Sequence, residues 1–112
     1  MADSEIEKTT GFSLDSVVDY MPNTVGSKTI YKKLTGSITA LSFDTGVERL
    51  EKDSPFDTYL QVIEGLALIT VNNMPQALQS GMAIIIPPHT TFTTRATTRL
   101  KMIVVVTKSG YE

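Results

Sequence analysis

The chain has 112 residues, with ten Lys and Arg against twelve Asp and Glu, one histidine and no cysteine, and its formal net charge is −2 at pH 7. That length supports one hydrophobic core, near the size at which a partner subunit adds useful stability, and the absence of any basic block argues against a nucleic-acid partner, whose binding rests on phosphate neutralisation. Without thiols there is neither a disulfide framework nor a thiolate metal site, a composition that fits a reducing compartment.

In chain order, residues 1–11 are polar and carry Asp3, Glu5, Glu7 and Lys8. They lack the apolar run of a signal peptide or membrane span, so a poorly ordered terminus, no membrane partner and a cytoplasmic protein are expected. Residues 12–112 read as a single β-barrel domain. Phe12 to Tyr20 suits one short helical turn, with Ser13 placed to cap it and Leu14, Val17 and Val18 on one face, before the breaker Met21-Pro22-Asn23. Beyond that point the hydrophobic period becomes two. Ser27–Leu34, Ser37–Phe43, Thr58–Glu64, Leu66–Val71, Met82–Ile86, Thr91–Arg95 and Arg99–Thr107 all read as strands, and sixteen threonines with many Val and Ile residues favour pleated backbone.

Turn residues fall between these runs. Thr35-Gly36, Asp44-Thr45-Gly46, Glu64-Gly65 and Ser80-Gly81 accept positive φ, and Asn72-Asn73 suits both centres of a two-residue hairpin loop. Pro87-Pro88 removes two backbone donors, so it predicts a strand end at an edge or rim. Short strands at such regular spacing predict an all-β sandwich or barrel.

Two glycine-anchored blocks refine this. The first runs Gly46, Lys52, Ser54, Thr58, Gly65, and the second runs Gly81, Pro87, His89, Phe92, Ala96, with fifteen residues, 66–80, between them. These spacings resemble the two motifs of the cupin superfamily, closest to small single-domain, RmlC-like proteins of the conserved-barrel (cupin 2) type. The resemblance spans Thr29 to Val106 and implies a jelly-roll barrel, the double-stranded β-helix. In that family the positions matching 52, 54 and 92 are usually histidines and the one matching 58 is usually glutamate. Here they are Lys52, Ser54, Phe92 and Thr58. A catalytic divalent metal needs imidazole or carboxylate donors converging at about 2 Å, so no metal and no cofactor are expected.

Alternation along the strands predicts a lumen of Lys52, Ser54, Thr58, Leu60, Val62, Phe92 and Thr94, an apolar cup with one cation and a few hydroxyls. Glu51, Asp53 and Asp57 fall on the opposite parity and read as a solvated acidic loop. Lys52 could be a nucleophile if desolvated or a binding cation for a small anion, while the plainer reading is a rim lysine with its ammonium in water. His89 reads as an exposed turn residue, though a shifted register would turn it inward as an acid or base. Phe92 fills volume that a metal and its histidine would take, or serves as a platform for a flat ligand. Arg95 and Arg99 flank the last connection and could bind an anion, while the plainer reading is strand-end charges.

The apolar runs at 82–86 and 101–106 imply burial on both faces, by a second sheet and a partner subunit in a homodimer, or else by the amino-terminal segment of the same chain. The function expected is binding of a small polar or anionic molecule in the barrel, or a dimeric interaction module. The alternative is a metal-independent enzyme of the isomerase or epimerase kind that uses Lys52 and His89 as acid and base.

Overall fold

The computed structural model describes residues 6–108, so part of the expected loose terminus, residues 1–5, lies outside the described residues, as do residues 109–112. A 3-10 turn at Leu14–Ser16 is followed by nine strands: β1 (Val25–Lys33), β2 (Gly36–Phe43), β3 (Glu48–Glu51), β4 (Asp57–Glu64), β5 (Leu66–Val71), β6 (Met74–Gln79), β7 (Ala83–Ile86), β8 (Phe92–Ala96) and β9 (Leu100–Thr107). Seven of them match the runs expected from alternation, while β3 and β6 do not. They form two antiparallel sheets in the orders β1-β2-β9-β4-β7 and β3-β8-β5-β6. Among the described residues no helix is long and apolar enough to cross a membrane.

The core lies between the sheets. Phe43, Leu60, Val62, Ile69, Leu100 and Met102 are buried there, on alternate positions of their strands, and each such side chain stabilises the fold by about 1.5–3 kcal/mol. Asn72 and Asn73 have φ of +52° and +63° and close the β5–β6 hairpin as its two loop residues, as their chemistry predicts.

The outer face of the five-stranded sheet is covered in part by the chain's own amino-terminal segment. Val17 and Val18 pack on Ala40 and Ile103, and Tyr20 lies with the Arg99 guanidinium 4.9 Å and the Lys101 ammonium 4.8 Å from its ring centre. The Tyr20 hydroxyl donates to the Glu64 carboxylate, and the buried Lys101 ammonium donates to the Asp15 carbonyl. Burial, with Glu64 accepting its proton, pushes the Tyr20 phenol well above its usual range, so it remains a donor. Ser13 does not cap the 3-10 turn, because its hydroxyl donates to the Asp15 carboxylate instead. Arg99, expected as a strand-end charge, pins this segment. Its Nε donates to Asp44 Oδ1 at 3.2 Å, while Asp44 Oδ2 accepts the Asn23 N–H at 2.8 Å.

That segment approaches the sheet closely at Gly26, where a Cβ would stand 2.5 Å from Ser42 Oγ and 2.9 Å from the Asp19 carbonyl oxygen. Ser42 donates to that same carbonyl at 2.7 Å, so the hydroxyl cannot turn away without losing the bond. Gly26→Ala is expected to cost about 1–3 kcal/mol by overpacking, while Gly11→Ala, with nothing within 4 Å, leaves the thermal midpoint unchanged.

Asp44 gives a pH signature. The Asn23 N–H first, then Arg99 and the Thr45 N–H, hold its carboxyl below the usual carboxylate range. A depressed folded-state pKa contributes stability that is complete above the unfolded value and is lost as pH falls through the folded one. Asp44→Asn is therefore expected to lower the thermal midpoint at neutral pH and to match the parent in acid, where both side chains are neutral.

Candidate functional site

Between the inner faces of the two sheets opens a cup of about 290 Å³. Strand β4 supplies Thr58 and Leu60, β8 supplies Phe92 and Thr94, and the loop between β3 and β4 supplies Lys52 and Ser54. Six of the seven side chains proposed as pocket residues from the sequence thus share one cavity. Val62, expected beside them, lies in the core and is fully buried. Beside β4 in the same sheet, β9 and β2 contribute Leu41, Phe43, Met102, Val104 and Val106, facing β8 across the cup.

His89 does not line the cup. It sits in the turn after Pro87-Pro88 with φ of +61°, a left-handed conformation, and its N–H donates to the Ser54 carbonyl at 2.7 Å. That bond ties the turn to the rim loop and leaves the imidazole outside, 72% exposed, with Nδ1 4.0 Å from an Asp53 carboxylate oxygen. There it borders a shallow outer groove with Leu50, Asn72 and Asn73. Lys52 and His89 are therefore not brought together in the cup as an acid and base pair. Tyr59, as its parity predicts, is not among the cup residues either, and its hydroxyl donates to Gln61 Oε1 at 3.3 Å.

Sequence reasoning missed two charged wall residues. Arg49 and Glu51 on β3 pair with Thr94 and Phe92 on β8, so they share the inward face, and Arg49 Nε lies 2.5 Å from Glu51 Oε2. Glu51 was expected outside because alternation was carried from β4 back through the rim. The rim is not a strand. Residues 52–56 form a loop closed by Ser54, whose Oγ accepts the Phe56 N–H at 3.3 Å and donates to the Phe56 carbonyl at 3.2 Å, so parity restarts at Asp57. Phe56 itself lines the cup, with the Lys108 ammonium 5.6 Å from its ring centre.

No family model matches the chain, and no curated protein matches it. Solved structures do. A conserved protein of unknown function from Streptococcus pyogenes is similar at a TM-score of 0.85 and 26% identity, over 97% of this chain and 96% of that one. A cupin superfamily protein from Desulfitobacterium hafniense gives 0.86 at 20% identity, over 97% and 100%, and a cupin 2 conserved barrel domain protein from Leptotrichia buccalis gives 0.81 at 24%, over 87% and 47%. The fold is that of the cupins.

In this cupin barrel the four positions that the family gives to metal ligands all lie in the cup, and none of them fits a metal. Lys52 presents a cation, Ser54 and Thr58 neutral hydroxyls, and Phe92 a buried phenyl ring. The Ser54 hydroxyl is already engaged by the rim loop. Glu51 is the one carboxylate in the wall, and Arg49 occupies it. Among the described residues no group of three or more His, Cys, Asp or Glu side chains is arranged to hold an ion. This donor set does not suit a divalent cation, which needs several deprotonated N or O ligands at one point.

Proposed function

We propose that this cupin-fold chain is a non-catalytic binding protein of the cytoplasm that takes a small polar or anionic molecule into the cup, with Lys52, Ser54, Thr58, Leu60, Phe92 and Thr94 around it. One observation carries the reading: the ligand positions have lost every metal donor, yet the barrel keeps an open cavity of about 290 Å³ with a lysine at its wall. A barrel serving only as a scaffold has no reason to hold such space, because empty apolar volume forfeits packing contacts. The acid–base reading with Lys52 and His89 loses its motivation once His89 faces the outer groove.

The test is a thermal-shift screen of sugars, carboxylates, phosphates and metals, since a ligand selective for the folded state raises the midpoint. Midpoint rises with organic ligands that Lys52→Met removes are expected. Protein purified without chelator is expected to hold far less than one equivalent of Mn, Fe, Ni or Zn by elemental analysis, and stoichiometric metal would overturn the reading.

The second part of the proposal is a homodimer. The segment carrying Val17 and Val18 covers the middle of the outer sheet face, but the edge strand β7, which has no charged residue, keeps Ile85 67% exposed. An uncharged apolar edge strand is a pairing template that monomers usually blunt with charge. Sedimentation is expected to give about twice the chain mass, and a clean monomer at micromolar concentration refutes the dimer.

A further inference from the structure

We infer that the cup selects an organic monocarboxylate of roughly ten heavy atoms in all, its head on Lys52 and its apolar body against Leu60 and Phe92. This deepens the binding reading above and rests on it. Charge is the first argument. The cup wall holds three charged side chains, and two of them, Arg49 and Glu51, neutralise one another at 2.5 Å. Among the described residues the Lys52 ammonium has no ion-pair or hydrogen-bond partner, while Asp53 and Asp57 do not line the cavity. The site is therefore one positive charge in excess. Lys52 is exposed at the rim, so a monoanion sets its head there at the mouth, whereas a dianion carries a second charge into the apolar interior and a neutral molecule leaves the ammonium to water alone.

The wall supplies the second argument. Beyond the three charged residues the lining is eight apolar side chains and five hydroxyls, and the Ser54 hydroxyl is held by the rim loop. It contains no Asn, Gln, Asp or His. A sugar presents polar groups all round and needs paired donors and acceptors on every side, which this wall lacks. A phosphate is recognised by forked or clustered N–H donors, and the single guanidinium of the wall is taken by Glu51. An apolar body with one charged end matches what remains.

Size is the third. At about 30 Å³ for a water-sized unit, 290 Å³ holds roughly ten such units, the bulk of an eight-carbon acid.

Calorimetric titration of the full chain with octanoate below its micelle concentration tests this, beside the neutral octanamide, the dicarboxylate suberate and inorganic phosphate. Octanoate is expected to bind with amide-proton NMR shifts at Thr58, Phe92 and Thr94, and octanamide, suberate and phosphate to bind at least about tenfold more weakly, as the loss or mismatch of one charge-assisted contact implies. Lys52→Met is expected to weaken octanoate by at least about tenfold without changing octanamide, and Lys52→Arg to restore most of the loss. Equal binding of octanoate and octanamide, indifferent to Lys52→Met, overturns the monocarboxylate while the binding reading stands. Tighter phosphate or suberate does the same. Shifts confined to residues outside the cup, or no binding of any probe, overturn the monocarboxylate, and the binding reading falls with it when the thermal-shift screen also gives no midpoint rise.

Discussion

Gly65→Ala is expected to cost at least about 4 kcal/mol, enough to leave a domain of ordinary stability, about 5–15 kcal/mol, largely unfolded or unable to accumulate. Gly65 is the residue at which the chain leaves β4 in one sheet and enters β5 in the other, with φ of +89°. A Cβ there would stand 1.9 Å from the Arg99 carbonyl oxygen, 2.9 Å from its carbon and 3.1 Å from the Leu100 Cα. All three are backbone atoms where β9 begins, the central strand of the larger sheet, so no rotamer change relieves the clash. The other two motif glycines serve as controls. Gly46 and Gly81 also have positive φ, at +82° and +90°, but a Cβ at either meets nothing within 4 Å. Their alanine variants are expected to lose only the left-handed backbone cost, about 1–2 kcal/mol. Urea unfolding of the three variants checks this. Equal losses would mean that turn conformation alone, without close approach of β9, explains why these positions carry glycine.

The contrast shows what the sequence reveals and what it withholds. The motif spacing marks all three glycines alike, but only the fold reveals that one of them touches another strand. The same limit governs the strands. Those rich in Val, Ile and Thr were legible because alternation of β-branched residues suits a half-buried pleat. Strand β3, Glu-Arg-Leu-Glu, and strand β6, Met-Pro-Gln-Ala-Leu-Gln, carry charge, glutamine and proline, which read as loop. Both are edge strands of the smaller sheet, where such residues are tolerated because one side of the ladder is open. The Asn72-Asn73 turn was the available signal for β6, since a two-residue loop of that kind needs a second strand after it.

Missing β3 had the larger consequence for the site. Its inward residues Arg49 and Glu51 pair across to Thr94 and Phe92, so two of the three charged wall residues were invisible to a reading in which that strand did not exist. Lys52, Ser54, Thr58 and Phe92 were found instead through motif spacing, which encodes barrel geometry even where the chemistry has changed. His89 could not be placed from sequence because its direction depends on a left-handed backbone conformation, which only a few per cent of non-glycine residues adopt and no neighbouring residue signals.

Phe43→Ala is expected to cost about 3–5 kcal/mol, and Phe43→Leu less than about 1.5 kcal/mol. The ring is 1% exposed, the largest of the fully buried side chains, and it faces inward from β2 opposite Leu100 on β9. It also lines the cup, so the space it vacates joins the existing cavity instead of forming a sealed void. Stability and ligand size are therefore coupled through one side chain. With the monocarboxylate reading, Phe43→Leu is the informative variant, because it keeps most of the core while lengthening the apolar space. The affinity of decanoate relative to octanoate, measured by calorimetry, is expected to rise in Phe43→Leu, and urea unfolding to show a midpoint close to the parent's. A rise in the ratio with little loss of stability places the ring against the far end of the bound acid. An unchanged ratio means that the ligand body stops short of β2, and the length of acid the cup accepts is then set by Leu60 and Phe92, nearer the rim.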